Sequence, residues 1–369
     1  MPGDQGVTMQ SFEEILSDQW ALVVDTYEVR ELVLKLASNR YLVRSALQKS
    51  IRRGYVQRAM DYASYLYHFD MKKVWRDLAI IAIEDIGVGC PDAVSLALYM
   101  DKHSKERSAY RDQLETLMAV VAGLALANRK SRACCELSLG ADLLSRRMTA
   151  SADWDFLPPD AEVMFNNDER FFGVQELLPL YEELLKARGK MSGFPKNPDV
   201  LDVLMEAYRD TLSDSLFRMA HLAIDRAHDS MFMAAFPVAF AYSGTPVDDL
   251  PDSFPKNHYI KGVPAAAFDM HTHPGRVAIK AFYTHFAKED LRVAAIQSEF
   301  AIKTLGSVVF TEEGGLCNNQ IDFLNLKAFQ DQFFHLGFGV PIGSEDFLIQ
   351  LVRDHIDVLH QKREWASTL

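Results

Sequence analysis

No GxxxxGKS/T phosphate loop occurs in the 369-residue chain, so the cradle that P-loop enzymes build around ATP is absent. A dinucleotide fingerprint, a nucleophile elbow and a Ser-His-Asp arrangement are missing too, and no nucleotide or other cofactor is expected. Cysteine is scarce. Cys90, Cys134, Cys135 and Cys317 form no CxxC pair and no metal-ligand spacing, and the adjacent Cys134 and Cys135 are poorly placed to bridge each other. Buried thiols in a reducing cytoplasm are the expectation, with no metal site. Long apolar runs are lacking: stretches such as 118–127 fall well short of the roughly 20 residues that cross a bilayer. The opening Met1-Pro2-Gly3-Asp4 carries neither the basic nor the apolar part of a signal peptide, so a cytoplasmic protein without membrane attachment is expected. Positive charge is in deficit, with 39 Lys and Arg against 51 Asp and Glu and a formal charge of −12. That argues against wholesale coating of nucleic acid or anionic lipid, but not against a local basic patch.

What is present is an ordinary globular composition, 49% apolar and 24% charged, which excludes disordered and collagen-like chains. At about 150 residues per domain, the length suggests two domains. Helical period dominates the first 235 residues. Val43, Leu47 and Ile51 recur at i, i+4, i+8, and Val74, Leu78 and Ile81 at i, i+4, i+7. Gly54 and Gly87 fall where these patterns stop, as glycines after helices do. Pro91-Asp92 opens a further helix through Met100, and helices are expected over 107–126, 132–146, 173–188, 197–209 and 212–235. Residues 151–172, with Pro158-Pro159 and clustered acids, read as a linker between a region 1–150 and a region 173–369. Eight Gly and Pro residues between Gly244 and Gly275 make 243–275 a long structured loop. Helices return over 276–304 and 344–362, with short strands expected near 307–310. The fold class expected is all-α, a multi-helical bundle with one long structured loop.

The run Ser45-Ala46-Leu47-Gln48-Lys49-Ser50-Ile51-Arg52, then Ile83-Glu84-Asp85-Ile86-Gly87, Pro91 and finally Lys130-Ser131, comes in a recognisable order. It resembles the C-terminal helical region of the replication-associated recombination protein A / Werner-helicase-interacting protein family, the clamp-loader-related AAA+ ATPases. The resemblance covers about residues 41–145. It implies a clamp-loader-collar-like bundle, a homo-oligomer and association with DNA, and makes 1–150 a DNA-associated domain. The ATPase module of the family is absent, so its ATP chemistry does not carry over.

Between Arg40 and Met60 stand six basic residues and no acid: Arg40, Arg44, Lys49, Arg52, Arg53 and Arg58. Arg44, Gln48 and Arg52 share a helix face, and a row of cations suits a phosphate backbone. Arg129, Lys130 and Arg132 form a second group that would widen such a surface. The alternative is a solvated helix face whose cations pair with acids elsewhere.

Asp269-Met270-His271-Thr272-His273-Pro274-Gly275-Arg276 closes the long loop and opens a helix. As a metal-binding DxHxH strand it would need a barrel, for which too little chain follows. As a catalytic loop, Asp269 after the apolar run 263–268 would have a raised pKa or a dry setting. There it could stabilise an oxocarbenium-like sugar while His271 assists the leaving base and Arg276 holds a phosphate. As a structural feature, Asp269 caps the helix. Glu84 and Asp85 end an apolar helix, so at least one is expected to be buried and paired, with Arg44, Lys49 or Arg52 as partners; a catalytic or metal-binding role would follow if the fold brings Asp269 beside them. Tyr62, Tyr65, Tyr67 and His68 suit base stacking or, more commonly, a core. His221, Asp225 and His228 have a spacing found in metal sites and in surface hydrogen bonds. The leading expectation is an enzyme cleaving an N-glycosidic bond of a natural or modified base in DNA, in genome maintenance or defence against foreign DNA. A DNA-binding oligomeric scaffold without enzymatic activity and a metal-dependent nuclease are the alternatives.

Overall fold

The computed structural model describes residues 39–104, 107, 113–139, 172–189, 198–226, 229–244, 248–250, 258–296, 298–322 and 345–369, together with Ser17 and Ala21. Helices dominate these residues, and the protein is an all-α, multi-helical one. Residues 151–171 of the expected linker 151–172, 108–112 of the expected helix 107–126, the end of the expected helix 132–146, and His228 lie outside the described residues. Contacts group the chain into two units, each drawing on separated stretches instead of following the linear division at residue 150. One comprises 1–27, 72–251 and 318–333, and the other 28–71, 252–317 and 334–369.

Helix α1 (Arg40–Arg52) and the first part of α2 (Val56–Ile81) belong to the second unit. The Asn39 side chain caps α1 by accepting from the Leu42 N–H at 3.1 Å. Gly54, at φ +71°, turns the chain after it, a conformation open to glycine at little cost. Val43, Leu47 and Ile51 are fully buried, but so are Lys49 and Arg52 on other faces. Helix α2 leaves helical geometry at Asp70, φ −159° and ψ 90°, next to the point where the chain passes from one unit to the other.

The first unit continues through a π-helical turn at Ala82–Ile86, α3 (Pro91–Lys102), α4 (Gln113–Ala125), α5 (Phe172–Ala187), α6 (Pro198–Ala207), α7 (Asp214–Asp225) and α8 (Ser230–Gly244). Helix α7 packs on α3 and α8, and α8 packs on α5. Phe232, Met233, Ala234, Ala235, Phe236, Val238 and Ala239 of α8 are all fully buried, as an all-round apolar sequence requires. Strand β1 (Asp248–Leu250) pairs antiparallel with Gln320–Asp322.

In the second unit the described part of the expected loop, from His258 onward, carries secondary structure of its own. Strands β2 (Tyr259–Ile260) and β3 (Val263–Pro264) form a hairpin whose two turn residues, Lys261 and Gly262, both have positive φ, the tight turn that matches strand twist. A short 3₁₀ turn, Ala265–Ala267, leads to α9 (His273–Phe286), followed by α10 (Leu291–Ala294) and α11 (Ser298–Val309). The expected strands at 307–310 are not formed. Leu305, Val308 and Val309 extend α11 because their helical spacing buries them beside Ile279 and Phe282, which outweighs β-branching. A second π-helical turn, Phe310–Gly314, follows. The strand after it, β4, is Gln320–Asp322 of the first unit. The expected C-terminal helix is two, α12 (Glu345–Asp354) and α13 (Ile356–Ala366), divided at His355. Helix α9 packs on α13 and α11 around a core that includes Phe286, Val352 and Leu359.

Candidate functional site

The polar heart of the second unit is built from four segments far apart in sequence. Helix α1 brings Ser45, Lys49, Arg52 and Arg53; the turn before α9 brings Asp269; the π-turn brings Phe310, Glu313 and Gly314; α13 brings His360 and Arg363. Lys49 Nζ forms an ion pair with Asp269 Oδ2, both side chains being 2% exposed or less. Lys49 also donates to Ser45 Oγ at 3.1 Å, and Ser45 donates to the Ala267 carbonyl at 3.0 Å. The other Asp269 oxygen accepts the His271 N–H at 2.9 Å. Arg52 donates to the Gly314 carbonyl, and Arg53 to the Glu313 carbonyl at 2.9 Å. Glu313 pairs with Arg363 Nη1 at 2.6 Å and lies 3.3 Å from His360 Nε2, while Arg363 Nε donates to the Phe268 carbonyl at 3.1 Å. The Lys49 ammonium and Arg52 guanidinium stand over the Phe310 ring, 5.5 and 5.1 Å from its centre.

These partners set the charge states. Burial by itself pushes the Asp269 carboxyl up, but Lys49, with His271 and two hydrogen bonds, holds it below the usual range. Glu313 is likewise opposed by burial and is brought down to about 2 by Arg363 and His360. Burial lowers the Arg53 pKa, with Glu313 acting against it. The expectation of a raised Asp269 pKa is therefore corrected: the apolar setting is real, but a cation was built into it.

Asp269 does not cap α9 either. Thr272 does, its Oγ1 accepting the Gly275 N–H at 3.2 Å, while Asp269 closes its own turn three residues earlier. His271 is exposed, with its ring 5.5 Å from that of Phe310. Arg276 is exposed and donates to the Met270 carbonyl at 3.2 Å.

The expected row of phosphate-binding cations on α1 is corrected by its burial. Lys49, Arg52 and Arg53 are 2%, 0% and 7% exposed and spend their donors on Asp269 and on backbone carbonyls of the π-turn. Arg44 is half-buried. In the first unit Lys130 is also internal, donating to the Ala125 and Ala127 carbonyls at the end of α4 and to Asn318 Oδ1 at 2.5 Å. Arg129 is exposed.

Glu84 and Asp85 lie in the π-turn of the first unit, whereas Asp269 belongs to the second. Asp85 is fully buried and faces Arg132 at 3.8 Å; Arg132 stands where Arg44, Lys49 or Arg52 was expected. Glu84 is half-buried beside Cys135, whose thiol is pushed up to about 12, first by burial and then by that carboxylate. Tyr62 belongs to the core, its hydroxyl donating to the Gly262 carbonyl at 2.8 Å. Asp225 accepts from Lys102 at 2.7 Å. Among the described residues, no three His, Cys, Asp or Glu side chains gather as metal ligands do.

Sequence reasoning missed Glu313, His360, Arg363 and Phe310. A signal existed. Residues 308–315, Val-Val-Phe-Thr-Glu-Glu-Gly-Gly, repeat the plan of 80–87, Ile-Ile-Ala-Ile-Glu-Asp-Ile-Gly: an apolar helix end, two acids, then glycine. Both form π-turns with a buried acid, Asp85 in one and Glu313 in the other. Comparison of the chain with protein families, curated proteins and solved structures finds no match.

Proposed function

We propose that this protein is a non-enzymatic DNA-binding scaffold that works as a homo-oligomer. The observation that favours this reading over the glycosylase is the fate of Asp269. The carboxylate on which glycosidic chemistry would rest is fully buried, and both of its oxygens are engaged, one by Lys49 and one by the His271 N–H. A group that touches a flipped nucleotide must be reachable from solvent, and this one serves instead to fasten α1 to the start of α9. The resemblance of residues 41–145 to a clamp-loader-related collar supplies the DNA and the oligomer in this reading.

The test incubates the pure protein with labelled DNA, natural and base-modified, with and without EDTA. Products are resolved on a denaturing gel before and after hot alkali, beside a native gel-shift and light scattering. Intact DNA on every substrate, a shifted band and a mass above one chain are expected. EDTA-insensitive breaks that appear only after alkali would replace the scaffold with a glycosylase. Breaks without alkali that vanish in EDTA would replace it with a metal-dependent nuclease.

A further inference from the structure

Of the cations first expected to meet DNA, Lys49, Arg52, Arg53 and Lys130 are internal, but Arg276 belongs to a further basic segment of the second unit that is exposed. From Met270 to Lys288 the chain has no acid, with Arg276, Lys280 and Lys288 and the histidines 271, 273 and 285. In a protein of net charge −12 such a stretch stands out. Its placement follows from helical period. Ala278, Ile279, Phe282 and Phe286 turn inward to the core shared with α11, α12 and α13. His273, Arg276, Lys280 and Thr284, at i, i+3, i+7 and i+11, form the opposite, exposed stripe. Lys288 continues it just past the helix end, and His271 precedes it.

None of Arg276, Lys280 and Lys288 has an acidic partner among the described residues; Arg276 donates to a backbone carbonyl. This separates them from Lys186 and Arg209, surface cations that pair with Glu183 and Glu206. The exposed acids of α13, which packs on α9, are Asp357 and Glu364, and Glu364 is occupied by His258 at 3.2 Å; on the stripe's own segment the first acid is the exposed Glu289, next to Lys288. Arg276 and Lys280, four residues apart, are offset by about 6 Å along the helix axis, so that the two can meet successive phosphates of a strand. Thr284 adds a hydroxyl, although it also donates to the Lys280 carbonyl at 2.8 Å.

We propose that the exposed stripe of α9, Arg276 and Lys280 with Lys288 beyond its end and His271 and His273 at its start, is the surface that meets the DNA phosphate backbone. The proposal rests on the DNA-binding reading above and adds the place. A backbone-reading surface of this kind binds with little sequence preference and strong salt dependence.

The experiment measures affinity for a 30-base-pair duplex and its single strand between about 50 and 200 mM salt, a range over which such contacts weaken steeply. The proteins compared are the full chain, Arg276→Gln/Lys280→Gln, and the charge-matched control Lys186→Gln/Arg209→Gln. Circular dichroism melts verify that each folds. Removal of two phosphate contacts is expected to weaken binding about tenfold and to reduce the slope of log affinity against log salt by about two. The control should keep affinity within about twofold, since it removes cations elsewhere. If the full chain binds DNA and the α9 double variant binds equally well with the same slope, the placement is overturned while the scaffold reading survives. If the full chain binds neither duplex nor single strand at the lowest salt, the scaffold reading itself falls.

Discussion

Lys49 and Asp269 show how a buried ion pair differs from a catalytic one. Each charge, taken from water alone, carries a heavy desolvation cost, so each is tolerable only with the other in place. Lys49→Met or Asp269→Leu should therefore each lower stability by about 3–5 kcal/mol, by leaving an uncompensated charge. The double variant Lys49→Met/Asp269→Leu should recover most of that loss, which urea unfolding of the four proteins would reveal as strong coupling. Glu313 makes the matching prediction for acid. Its folded pKa of about 2 lies below its ordinary 4.5, so its stabilising contribution is present above the unfolded value and is lost as pH falls through the folded one. Two to three pKa units correspond to on the order of 3 kcal/mol. Stability should fall from pH 5 toward pH 2, and Glu313→Gln should flatten that slope in denaturant titrations run at each pH.

The start of α9 depends on two small residues. Thr272 supplies the cap, and Gly275 lies so close to the Asp269 and Phe268 backbone that any Cβ would overlap it. Thr272→Ala should cost about 1 kcal/mol, the usual loss of a cap. Gly275→Ala should cost several times that, because rigid backbone has to move, and a thermal melt separates the two. The two π-turns act at the same scale. Each ends a helix in π geometry with one acid buried, Asp85 in the first and Glu313 in the second.

Over the whole chain, none of the four cysteines forms a disulfide, and burial raises the thiol pKa of Cys90, Cys134 and Cys135. The folded protein should react slowly with a thiol reagent at neutral pH, yield four thiols in denaturant, and melt at the same temperature with or without reductant. Each unit is assembled from separated stretches, and this marks the boundary of what could be read in advance. Helices at 40–52, 91–102 and 198–207, the glycines that end two of the helical patterns, and the all-α class were legible because they depend on spacing within a few residues. The segment 307–310 was misjudged because β-branching is a local signal and the core formed with Ile279 and Phe282 is not. The same limit governed the charges. The sequence by itself determined that this chain is acidic, sparing of cysteine and of ordinary apolar content, and that Arg40 to Met60 is a run of cations without an acid. Whether those cations would face water or face Asp269 and the carbonyls of the π-turn was decided only when residues more than 200 positions apart came together. Charge is a property of the residue, but the free energy of a charge belongs to its surroundings.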